Sequence, residues 1–161
     1  ALFTCARERP LSAEQLTQAF LLATGEAARV LDNKGWEGVE GNKYARKDFE
    51  KVFLSAFANA AKEPELTVNP TLKSALFLRN NDLVLWALQR RNGNLIDRLC
   101  GLESVEQVAG ALYESILSRP PAPEEVAEVA AFLARHETSR EKALGRYAWA
   151  MLSSMEFFTN H

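Results

Sequence analysis

Apolar residues recur at helical spacing through most of the chain, and polar capping residues stand where each run begins. In "PLSAEQLTQAFLLATGE", Leu16, Phe20 and Ala23 share one helical face with Ala19 beside them. Ser12 and Gln15 are three apart, as a capping box requires, and Gly25 follows the last periodic residue. The stretch "DNKGWEGVEGNK" carries three glycines and reads as a surface loop. "YARKDFEKVFLSAFANAAK" then places Phe49, Phe53 and Phe57 at i, i+4 and i+8, a stripe that belongs in a core. Pro64 and Pro70 bracket "PELTVNP", an extended connector or a short buried run.

The second half is punctuated more densely. "TLKSALFLRN" and "DLVLWALQRR" read as two short helices meeting at Asn80–Asn81, with Asn81 capping the second. "GNLIDRLCG" is a further short helix, opened by Asn94 and closed by Gly101. Ser104 and Gln107 form another capping box ahead of a face made by Val105, Val108, Leu112, Ile116 and Leu117. A helix restarts at Pro123, with Glu124 and Glu125 in its first turn where the helix dipole favours anions. The last, in "TSREKALGRYAWAMLSSMEFF", is capped by Thr138 or Ser139 with Glu141 in reach. Its inward face is expected to be Met151, Leu152, Met155 and Phe158, with Phe157 at the edge. No period-two strand of any length and no tandem repeat is present. The expectation is an all-α fold, an irregular bundle of about six to seven helices forming a single helical domain over residues 1–161.

Composition narrows the function classes. A chain of 161 residues buries a core without metal or disulfide staples. Its net charge of −2 provides no general attraction to nucleic acid or an anionic membrane. No segment is long and apolar enough for a membrane span, since "LVLWALQRR" already ends in two arginines. Cys5 and Cys100 form no C-x-x-C pair; two independent thiols is the simpler reading, and their pairing stays open.

Candidate chemistry is sparse. The chain has no G-x-S-x-G elbow, Walker loop, G-x-G-x-x-G, H-E-x-x-H or C-x-x-C-H, and His136 and His161 alone cannot build a usual zinc site. Glu124 and Glu128 share a face but read as a solvated helix start, and His136 near a helix C-terminus reads as structural. No catalytic, cofactor-binding or metal-ligating residue is assigned. Lys73, Arg79, Arg90, Arg91 and Arg98 form a basic cluster broken by Asp82 and Asp97, and Glu103 to Glu137 is predominantly acidic. The two segments either complement each other across a helix pair, the favoured reading, or the first meets an anionic saccharide or an acidic partner. Trp86 and Trp149 lie on apolar helical stretches and belong in the core. Trp36, in the glycine loop, is a clamp over the core or a contact for a ligand. The candidate ligand or partner contacts are therefore Trp36, Arg79, Arg90, Arg91 and His161.

Five of these stretches also occur in a familiar order: "RPLSAEQLTQAFLLATG", "NPTLKSALFLRNNDLV", "GNLIDRL", "LYESILSRPPAPEEVA" and "YAWAMLSSMEFFTNH". Together they resemble the domain of unknown function fifteen-fifty-three, the C-terminal module of large proteins of planctomycetes and related bacteria. That family has no established reaction. The resemblance implies an exported, extracytoplasmic multidomain protein whose upstream domains are the partners of this one. It implies no cofactor here, though haem often belongs to an upstream cytochrome-c-like domain, for which His161 is a remote candidate ligand. The opening Ala1-Leu2-Phe3 accords with the C-terminal fragment of a longer chain. The resulting expectation is a structural and interaction module, more readily than an enzyme. The alternative is a ligand-binding or enzymatic unit acting on saccharides, with a cleft near Trp36 and the arginines.

Overall fold

The computed structural model describes residues 9–31, 46–57, 77–136 and 139–160. The all-α expectation holds: the described residues form ten helical segments and a two-residue strand pair. The helices are α1 (Ala13–Thr24), α2 (Ala27–Leu31), α3 (Arg46–Phe57), α4 (residues 77–80), α5 (Asp82–Ala87), α6 (Leu95–Cys100), α7 (Val105–Leu117), α8 (Pro123–Arg135), α9 (Arg140–Leu152) and α10 (Met155–Phe158). The count exceeds six to seven because short turns such as α2 and α10 are separate elements, too brief for a periodic pattern to announce.

Local chemistry accounts for the boundaries. Ser12 and Ser104 each accept from the backbone N–H three residues on, while Gln15 and Gln107 reach back to the cap residues' own N–H groups. Asn81, Asn94, Ser139 and Ser154 cap α5, α6, α9 and α10 through their side chains. Ala122 has no capping side chain, so the start of α8 relies on Pro123 and on Glu125, which accepts from the Ala122 N–H at 2.7 Å. Gly25 closes α1 with φ +74°, and its N–H donates to the carbonyls of Leu21 and Leu22. At the end of α7 the same left-handed conformation falls on Ser118, φ 56°.

Helices α1 and α7 lie at the centre: α1 packs on α3 and α7, and α7 also meets α8, α9 and α6. The phenylalanine stripe of α3 is core, as its spacing requires. Rings run in contact from Trp86 through Phe49, Phe20, Phe53 and Phe57 to Phe158, with neighbouring centroids 5.2–6.2 Å apart. Each such ring contributes roughly 1.5–3 kcal/mol by leaving water.

The C-terminal segment departs from the expected stripe. Helix α9 stops at Ser153, and α10 restarts from Ser154, which accepts from the Phe157 N–H at 3.3 Å. The break shifts the helical phase, so Met155 is 57% exposed while both Phe157 and Phe158 are buried. The chain then pairs antiparallel with the opposite end, Thr159 against Pro10 and Asn160 against Arg9, and the Leu11 N–H donates to the Phe158 carbonyl at 2.9 Å. Arg119 ties the same region down by bridging Glu125 at the start of α8 and Glu156 in α10. Hydrogen bonds from Arg119 hold the Glu125 carboxyl at about 2, against an ordinary value near 4.5.

Candidate functional site

Among the described residues, the candidate contacts Arg79, Arg90 and Arg91 do not converge on one cleft. Trp36 and His161, with Lys73 and Cys5, lie outside the described residues. Arg90 is exposed and bonds the Asp97 carboxylate at 2.8 Å. That bond and the Gly93 N–H hold Asp97 below the usual carboxylate range, the backbone donor contributing most. Among the described residues Arg98 reaches only the Ser115 hydroxyl, at 3.5 Å.

Arg91 turns inward. Its guanidinium lies 3.7 Å from the centre of the Trp86 ring and bonds Glu26 Oε1 at 2.6 Å. Glu26 is shut from solvent, and Oε1 also accepts from Asn94 Nδ2 at 3.2 Å. Asn94 is itself buried, donates to the Gln89 carbonyl and accepts from the Asp97 and Arg91 N–H groups. This cluster joins the end of α1 to the start of α6, where a Cβ on Gly25 would lie 3.4 Å from Asn94 Cα. Nothing in the sequence singles out Glu26, because a lone acid after a helix-closing glycine looks like a solvated loop residue. Of the basic cluster, Arg90 and Arg91 therefore find their partners in Asp97 and Glu26. Among the described residues the cluster forms no ion pairs with the acidic stretch from Glu103 to Glu137, which corrects the favoured helix-pair reading.

Arg79 stands elsewhere, on the rim of an open groove of about 580 Å³ between α5 and α9. One wall is Leu85 with Leu88 and Gln89; the other is Glu141, Lys142, Gly145, Arg146 and Trp149, one face of α9. Gly145 lets the two walls approach, since a Cβ there would sit 3.2 Å from the Leu88 carbonyl oxygen. Trp149 is half-buried and not fully core: Nε1 donates to the Leu78 carbonyl at 2.8 Å, which fixes the indole and leaves part of it lining the groove. Leu85 is 44% exposed. Arg79, Lys142 and Arg146 are all exposed and none has an ion-pair partner among the described residues. The acid on this rim, Glu141, is within electrostatic reach of Arg90.

Other reactive side chains are occupied by structure. His136 stacks on Phe132 with centroids 4.3 Å apart, and its Nδ1 lies 2.9 Å from the Phe132 carbonyl oxygen. Cys100 is a free thiol whose ionisation burial pushes up. Burial likewise raises Tyr113 and, further, Tyr147. Among the described residues no group of three or more His, Cys, Asp or Glu is placed to hold a metal ion, and no helix is long and apolar enough to cross a membrane. No protein-family model, curated protein or solved structure matches the chain.

Proposed function

We propose that the chain is a helical docking module, the C-terminal part of a domain of the fifteen-fifty-three type, which joins other domains of an exported protein. The observation that carries this reading is the groove between α5 and α9. It combines a half-exposed leucine and a positioned indole with cations that have no ion-pair partner among the described residues. Exposed apolar surface rimmed by polar groups costs free energy in water and is characteristic of surfaces that are covered in an assembly. The reading assigns no reaction to this chain.

A titration of this chain with the upstream remainder of its parent polypeptide, followed by calorimetry, tests the proposal. Saturable binding by the wild type, weakened at least about tenfold by Leu85→Glu, is the expected result. No binding, or equal binding by both forms, would refute it. Truncating the terminal helix would test something else, because Phe157 and Phe158 are buried and Phe158 packs on Phe57, away from the groove. The saccharide reading keeps one supporting observation, Arg79 and Trp149 on the same groove. An anionic oligosaccharide that binds the wild type and is lost in Trp149→Ala would favour it.

A further inference from the structure

We infer that the occupant of the α5–α9 groove is an acidic amphipathic helix, an inference that rests on the docking reading above. The first argument is shape. Residues 141, 142, 145, 146 and 149 recur along a single face of α9, a stripe about 12 Å long at 1.5 Å per residue. A trough of that length between two helices matches about two turns of a third, the helix-in-groove mode of recognition. Leu88 and Trp149 contribute to its lining, while half-exposed Leu85 stands on one wall, so large apolar side chains at i and i+4 of the occupant have surface to cover.

The second argument is charge. The chain as a whole carries −2, yet among the described residues this rim presents Arg79, Lys142 and Arg146 against Glu141 alone. The cations are spread along the trough. Arg79 follows Leu78, whose carbonyl holds the Trp149 indole, so it marks one end; Arg146 lies between, and Lys142 is near the other end. Carboxylates about one and two turns apart on the occupant, beside its apolar anchors, would meet them in sequence. A cationic or neutral helix would leave three positive charges unpaired at the edge of an apolar contact. An anionic membrane is the weaker fit, because the apolar groups line a concavity instead of projecting from a flat face.

The test needs no known partner. A library of random 16-residue peptides is selected on the folded wild-type chain and depleted on Leu85→Glu, with circular dichroism confirming that each protein variant is folded. Selected peptides are labelled and their binding followed by fluorescence anisotropy at two salt concentrations. The expected outcome is enrichment of sequences with apolar residues at i, i+4 and acids on the flanks, weakened by salt. An Arg79→Glu/Arg146→Glu variant should bind them at least about tenfold more weakly and should recover affinity for their Glu→Lys counterparts. Groove-dependent peptides without acidic bias would overturn the charge inference and leave the docking reading standing. No peptide that depends on Leu85 would overturn both. Wild-type self-association abolished by Leu85→Glu would identify a second copy as the occupant. Charge-dependent binding to phosphatidylserine vesicles without peptide binding would identify a membrane. Either of these last results refutes the inference.

Discussion

Replacing Arg91 with Met isolates the buried ion pair as a contribution to stability. Glu26 is 0% exposed, so water cannot replace the lost guanidinium. Its Oε1 would keep only Asn94 Nδ2 at 3.2 Å, and Oε2 already lacks a hydrogen-bond partner, with Arg29 no closer than 3.9 Å. Breaking one side of such a pair costs about 3–5 kcal/mol. Loss of the cation–π contact with Trp86 adds about 0.5–2 kcal/mol, partly offset because Met still packs on the ring. The ion-pair loss alone is a large share of the roughly 5–15 kcal/mol that a domain has. At about 2–4 °C per kcal/mol it lowers Tm by roughly 6–20 °C. Glu26→Gln should cost less, about 1–3 kcal/mol, since Oε1 still accepts and Arg91, with its side chain 15% exposed, retains some access to water. The double variant should be more stable than the sum of the singles by about 1–3 kcal/mol. Urea unfolding followed by far-UV circular dichroism measures all four proteins, provided m is unchanged. If Arg91→Met falls within about 1 kcal/mol of the wild type, or the cycle closes to zero, the pair does not hold α1 to α6 as described.

Three further expectations follow from the backbone and the surface pairs. Gly25→Ala places a Cβ on a residue at φ +74° and should lower stability by about 1–2 kcal/mol, read as a reduced urea midpoint. Ser118→Gly relieves the same conformation at φ 56° and should raise stability by up to about 1 kcal/mol, read as a higher urea midpoint; a loss would mean that the Ser118 side chain contributes more than its backbone costs. Glu125 has a folded-state value of about 2, below its ordinary value near 4.5, so its contribution is complete above pH 4.5 and is lost as pH falls towards 2. The side chain is 26% exposed and screened, which leaves about 1 kcal/mol. The gap between wild type and Glu125→Gln should therefore be constant from pH 7 to 5 and narrow below 4.5; a gap that persists unchanged at pH 3 contradicts the assignment.

Features of this fold decided by a few neighbouring residues are legible along the chain. Ser12 with Gln15, Ser104 with Gln107, Asn81, Asn94 and Gly25 each act within one turn of their own position, and every one caps the helix its spacing implies. The Phe49–Phe53–Phe57 stripe is equally legible, because helical geometry alone puts those rings on one side. Which polar residues meet is settled by packing between distant segments. Glu26 and Arg91 are sixty-five positions apart and look like two ordinary surface charges until α1 is laid against α6. The groove has the same origin: Arg79 and Trp149 share it because α4 and α5 pack beside α9, with Gly145 permitting the approach. Even the exposed Met155 depends on a break at Ser153–Ser154, and the strand pair with Arg9–Pro10 and the Arg119 bridge hold the chain in place beyond it. Capping and periodicity are short-range and can be read along the chain, whereas desolvated charge pairing and groove formation depend on distances that exist only after packing.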